Sequence, residues 1–220
     1  MLGWLTHTTM ILNNEDLQIV KKLKKRVLDI SFTRKLSHIG SCLSSLPIIY
    51  EIYKVKGDSP FILSCGHAGL ALYTILEHFE GKNAEKLFDK HGVHPNRDLE
   101  DGIYVSTGSL GHGLGIAVGM ALANRDEEVY CLVSDGECAE GSIWEALNVV
   151  KAQNILNLKI YVNCNWYGAY SVISPYDLKM KLDAFAPNVR SRETSVEQLP
   201  FLHGQKAHYH VMSAEDYKLA

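Results

Sequence analysis

Two neighbouring apolar runs do most to restrict the fold. VYCLVSD (129–135) is continuously hydrophobic up to its end and LKIYVN (158–163) is a second buried strand ending in polar side chains; one helical stretch, GSIWEALNVVKAQN, lies between them. Continuous rather than alternating apolar character marks strands buried on both faces. A strand–helix–strand unit of this length is a right-handed crossover, which sets its strands parallel in one sheet. The expected class is α/β, a parallel sheet flanked by helices on both faces, with ligands beyond the carboxyl ends of the strands.

The remaining elements fit around that unit. Asn14 reads as the cap of a first helix in which Leu17, Val20, Leu23, Val27, Leu28 and Ile30 recur at helical spacing. SSLPIIYEIYKV is a second helix after the turn SHIGS, Phe61 to Ser64 a short buried strand, and GHAGLALYTILEHF a third helix. Asp89 to Thr107 is polar and irregular, a loop of the kind that borders a site. From Gly108, GSLGHGLGIAVGMALANR is a glycine-rich turn entering a helix whose Gly115, Ala117, Gly119, Ala121 and Ala123 predict close approach to its neighbours. Beyond Ser174 the pattern predicts a helix near Asp177 to Phe185, short strands near Val189 and over Ala207 to Met212, and a closing segment SAEDYKLA. One domain over residues 1–220 is expected.

Charge and cysteine usage exclude several functions. With 22 basic and 25 acidic side chains the net charge is −3, so no basic field exists for nucleic acid or an anionic membrane. No apolar run approaches the roughly 20 residues of a membrane span. The N-terminal MLGWLTHTTMILNNEDL lacks the regions of a secretion signal. Cys42, Cys65, Cys131, Cys138 and Cys164 are odd in number, scattered and never in a C-x-x-C pair, which opposes both a disulfide framework and a zinc cage. A reduced, cytoplasmic protein is expected.

Three features carry candidate chemistry. Adjacent strands end in Asp135 and in Asn163, Cys164 and Asn165; carboxylate, amide and carbonyl oxygens there suit Mg²⁺ or Ca²⁺ with phosphate oxygens. The same residues serve equally as a helix cap and a turn. Gly108, Gly111, Gly113 and Gly115 open a helix whose N-terminus can receive phosphate, or else permit tight packing. Histidines beside small residues form the third set: His38, His67, His94, His112, His208 and His210, each alone more often a structural hydrogen bonder than a catalyst.

SHIGSCLS, FILSCGHAGLALY, VHP, STGSLGHGLGIAVGMALA and SDG with Asn165 thirty residues on occur in an order that resembles the N-terminal, diphosphate-binding half of transketolase, over roughly residues 15–170. The resemblance implies a thiamine diphosphate-binding fold. It implies Mg²⁺ held by the Asp135 and Asn165 side chains and the Tyr167 carbonyl, with Gly108, Leu110, Gly136 and His67 contacting the cofactor. It places His38 and His94 towards the sugar, with His67 sharing the proton work, and Glu140 and Glu145 at a subunit interface; those two acids serve equally as exposed helix-start carboxylates.

The family's activating glutamate belongs to a separate pyrimidine-binding domain. The resemblance therefore implies one subunit of a split, heterotetrameric enzyme that moves a two-carbon ketol unit between sugars or sugar phosphates once a second subunit supplies that glutamate. Ser134, Cys164, Trp166 and His112 depart from the family pattern, and the family's C-terminal catalytic histidine has His208 or His210 as its candidates. EALNVV and NWYGAYS lean towards the α subunit of 2-oxo-acid dehydrogenases, which keeps that activity and a non-catalytic cofactor-binding scaffold as alternatives.

Overall fold

The computed structural model describes residues 12–168, 171–186, 189–196 and 199–220, without the side chains of Gln205 and Lys206. The first eleven residues, on which most of the secretion-signal reading rests, lie outside these. Four strands, β1 (Phe61–Leu63), β2 (Val129–Ser134), β3 (Leu158–Cys164) and β4 (Arg190–Glu193), pair in that order and all in parallel. The register sets Leu63 beside Leu132 and Leu132 beside Tyr161.

Alternation along these strands feeds two separate cores. Phe61, Leu63, Tyr130, Leu132 and Tyr161 face a cluster built from α1 (Asn14–Arg34), α2 (Ile39–Val55), α3 (Gly69–Glu80) and α4 (Ala84–His91). Ile62, Cys131, Val133, Ile160 and Val162 face α5 (His112–Ala123), α6 (Gly141–Ala152) and α7 (Pro175–Phe185). Both faces of the sheet are therefore covered over β1 to β3, which is why β1 and β2 read as apolar runs and β3 is broken only at Lys159, whereas the edge strand β4 is Arg-Ser-Arg-Glu.

Several elements differ from the sequence reading. Asn13, not Asn14, caps α1: its side chain accepts the Asp16 N–H while the Asp16 carboxylate accepts the Asn13 N–H, a reciprocal box. Asp16 is also the buried partner of Lys54 at 2.6 Å and of the Tyr50 hydroxyl at 3.0 Å, so the cap ties α1 to α2. Leu17 is half exposed rather than core. Helix α2 begins at Ile39, inside the SHIGS segment read as a turn.

Ala207 to Met212 is not a strand. Residues Gln205–Tyr209 form a 3₁₀ turn and the chain then runs irregularly to α8 (Ala214–Leu219). Its apolar and polar residues alternate as in a strand, yet Tyr209 and Val211 are exposed and only Met212 enters the core. In α5, Ala117 and Ala121 are fully buried, but Gly115 and Gly119 point away from the chain, where an added Cβ would meet nothing within 4 Å. The close approach falls instead at Gly113, whose added Cβ would lie 2.6 Å from the backbone of Ser64.

Candidate functional site

Glycines bring the separate histidine segments together beyond β1. A Cβ on Gly66 would sit 2.7 Å from the backbone of Thr107 and Gly108, so the CGHAG and STGSLG segments touch backbone to backbone. Gly108 has φ +141° and its α-carbon lies against the His94 ring, where any side chain would stand 3.0 Å from Cγ. A Cβ on Gly69 would lie 2.5 Å from the Val93 carbonyl, fixing the loop that presents His94.

Over this frame three imidazoles gather from distant parts of the chain. His38 lies 4.4 Å from His208 and 5.7 Å from His67, and His67 lies 5.5 Å from His208, ring centre to ring centre. The His38 N–H donates to the His208 carbonyl at 3.0 Å, which docks the 3₁₀ turn onto the start of α2. His38 has φ +59°, a left-handed conformation costly for a residue with a Cβ, and its Nδ1 is buried without a partner. Thr107 Oγ1 is likewise buried and unpartnered. Burial lowers the His67 pKa to about 3 and the His38 pKa to about 4, and the mutual proximity of the imidazoles adds to both shifts. Burial also lowers His208. His94 is exposed at the rim. His210 turns away to bond Asp216 at 2.9 Å, so of the two C-terminal candidates only His208 joins the group.

The ends of β2 and β3 bring the candidate oxygen donors Asp135 and Asn165 together. Asp135 is 1% exposed; it accepts the N–H of Gly136 at 2.9 Å and of Asn165 at 2.7 Å. Burial pushes its pKa up to about 7, against the pull of those N–H groups. No cationic side chain reaches it among the described residues. The Asn165 amide lies one strand over, its Oδ1 accepting the Tyr167 N–H at 3.0 Å, and Trp166 between them has φ +75°. A desolvated carboxylate without a counter-charge, an amide oxygen and a nearby carbonyl form a hard-oxygen set that fits Mg²⁺. A cleft lined by Gly40, Ser41, Asn165, Tyr167, Val196 and His208 runs from Asn165 and Tyr167 to one of the imidazoles, His208.

One buried acid escaped the sequence reading. Glu137 is wholly buried and accepts from the Ser64 hydroxyl at 2.7 Å, the Gly111 N–H at 3.0 Å and the Ser134 N–H at 2.9 Å. It thus joins the ends of β1 and β2 to the start of α5, and the Gly111 N–H is already engaged by protein. Its place one residue after Asp135-Gly136 was the only available signal. Glu140 is half-buried at the start of α6 and Glu145 exposed along it; among the described residues neither carboxylate has a cationic partner. Gly136 is buried behind Asp135, and Leu110 is half-buried between Gly108 and Gly111.

Residues 20–193 match the family described as transketolase, thiamine diphosphate binding domain. One of the subunits of the apulose-4-phosphate transketolase of Phocaeicola vulgatus is 36% identical over 167 residues, spanning 66% of this chain and 59% of that protein. Human transketolase is 33% identical over 173 residues, spanning 67% of this chain and 27% of that protein. The fold matches a crystal structure of a Pichia stipitis transketolase variant in complex with fructose 6-phosphate, with a TM-score of 0.74 at 20% identity over 94% of this chain and 40% of that one. The chain thus spans less than two thirds of each of these relatives, and with that family matched over most of its length it belongs to the transketolase thiamine diphosphate-binding domains.

Proposed function

We propose that this chain is the cofactor-binding subunit of a split transketolase, moving a two-carbon ketol unit from a ketose donor to an aldose acceptor. The observation that carries the reading is the convergence of His38, His67 and His208, the last of which shares a cleft with Asn165, itself hydrogen-bonded to Asp135. In this reading Asp135, Asn165 and the Tyr167 carbonyl hold Mg²⁺, and His67, Gly108, Leu110 and Gly136 contact thiamine diphosphate. When bound, that cofactor supplies the electron sink for cleaving a carbon–carbon bond next to a carbonyl. The imidazoles are held neutral by burial, so each offers one N–H donor and one acceptor to sugar hydroxyls without a net charge beside the diphosphate. His38, His94 and His208 face the sugar and move its hydroxyl protons.

The name of the Phocaeicola relative, one subunit of a transketolase for a sugar phosphate, supports two further parts of the proposal. The substrates are sugars or sugar phosphates. A second subunit brings the pyrimidine-binding domain and its activating glutamate, most simply in a two-plus-two heterotetramer. Calorimetric titration of Mg²⁺ and thiamine diphosphate into the chain, alone and co-expressed with its partner, tests this. Binding that tightens with the partner, together with ketol transfer only by the pair, is expected; absence of binding in both settings would refute the reading.

A further inference from the structure

Ser44 lies on α2, 1% exposed, with three hydrogen bonds that use its whole capacity. A hydroxyl has one proton and two lone pairs. The Ser44 proton goes to the Ser41 carbonyl at 3.3 Å, so both lone pairs are left as acceptors. They receive the Asn163 Nδ2 at 3.0 Å and the Asn165 Nδ2 at 3.2 Å. Asn163 is itself fixed from its other end, where the Thr194 hydroxyl donates to Oδ1 at 2.6 Å. The buried Asn163 amide and the half-buried Asn165 amide each turn NH₂ to Ser44, whose proton is engaged by the Ser41 carbonyl.

The consequence falls on Asn165. The oxygen and nitrogen ends of an amide are nearly the same shape, and only hydrogen bonds decide which end points where. Ser44 holds the nitrogen end on one side, and the Tyr167 N–H at 3.0 Å claims one lone pair of Oδ1 on the other. Turned over, the amide would set NH₂ against the Tyr167 N–H, and its oxygen would find a donor only if the Ser44 proton left the Ser41 carbonyl, so the turned-over form loses hydrogen bonds at both ends. A hard cation binds the amide oxygen and is repelled by NH₂.

We propose that Ser44 is a positioning residue for the metal: it fixes the Asn165 amide so that oxygen is presented to Mg²⁺. This rests on the reading of Asp135 and Asn165 as cation ligands. Ser45 provides the internal comparison, because its buried hydroxyl receives the Asn163 amide, at 3.2 Å, and among the described residues makes no hydrogen bond to Asn165.

Mg²⁺ affinity in the presence of thiamine diphosphate is measured by calorimetry on the full chain as wild type, Ser44→Ala, Ser44→Cys and Ser45→Ala, with the thermal midpoint of each cofactor-free protein alongside. Loss of a group that orients a metal ligand weakens metal binding by about 10–100-fold. Ser44→Ala is expected to weaken Mg²⁺ binding by about tenfold, whereas Ser45→Ala changes it by less than about twofold while lowering the midpoint to a similar extent. Ser44→Cys keeps the volume and weakens the acceptor, so it follows Ser44→Ala even if the alanine variant folds poorly. Equal Mg²⁺ affinity in wild type and both Ser44 variants overturns the positioning role and leaves the site intact, as does an equal loss in Ser44→Ala and Ser45→Ala. Failure of the wild type itself to bind Mg²⁺ overturns the ligand reading and this inference with it.

Discussion

Three imidazoles within 6 Å of one another can share a half-buried space only while most of them are neutral. Desolvation opposes each charge and every neighbour that protonates opposes the next. A histidine whose folded pKa lies below its unfolded value of about 6.5 binds fewer protons folded than unfolded, so its stabilising effect is complete above that pH and is lost as pH falls towards the folded value. With His38 at about 4 and His67 at about 3, the sensitive window of the cofactor-free chain opens below about pH 6.5 and extends through pH 4. Between pH 6.5 and 5 His67 alone contributes about 1–2 kcal/mol of this loss, discounted for its partial exposure. His67→Asn, which cannot protonate, is therefore expected to flatten the fall in urea-unfolding free energy over that window. An unchanged slope would mean that the imidazole relaxes into solvent when it protonates.

Glu137 shows at the level of elements how β1, β2 and α5 are held in register. Both of its oxygens accept backbone N–H groups, Oε1 from Gly111 and Oε2 from Ser134, and Oε1 also receives the Ser64 hydroxyl. Glutamine has the same shape but must turn its NH₂ towards one of those N–H donors, whichever way the amide lies. Glu137→Gln is expected to cost about 1–3 kcal/mol and to lower the thermal midpoint by roughly 2–4 °C per kcal/mol. A midpoint within a degree of wild type would show that the acid is not clamping these elements. The residue also marks where sequence reasoning stops. The parallel sheet was legible because strands covered on both faces are apolar through their buried centres, as VYCLV and IYV are. Asp135 and Asn165 were legible as strand ends on adjacent strands. The role of Glu137 depends on donors 73 and 26 residues away in sequence, and beyond its place after Asp135-Gly136 nothing local distinguishes it from an exposed acid in a first helical turn. The approach of His208 to His38 was hidden for the same reason, and alternating residues over 207–212 imitated a strand where the chain makes a 3₁₀ turn.

At the scale of the whole molecule, α5 is the element left incomplete. HGLGIAVGMALA is apolar on every side, and a helix of that kind is buried on every side in a finished assembly. One side faces the sheet through Leu114, Ala117 and Ala121; the other shows Gly115, Ile116, Gly119 and Leu122 to solvent, with Ile116 43% exposed. Val149 and Glu145 on α6 are exposed as well, and α6 packs beside α5. Glu140 and Glu145 are the acids that the family resemblance places at the subunit junction, so in the proposed enzyme the second subunit seats on the α5–α6 face. Gly119 separates this role from folding, because a side chain added there meets nothing within 4 Å in the chain itself. Gly119→Arg replaces the weakest ordinary helix former with a strong one, a gain of roughly 0.5–1 kcal/mol in an exposed helix. The thermal midpoint of the isolated variant is therefore expected to hold or rise, while co-purification with the second subunit and ketol transfer by the mixture are lost together. A variant that still assembles with wild-type affinity would move the junction off α5, because no partner can close over this face around a buried arginine without a large loss of binding energy.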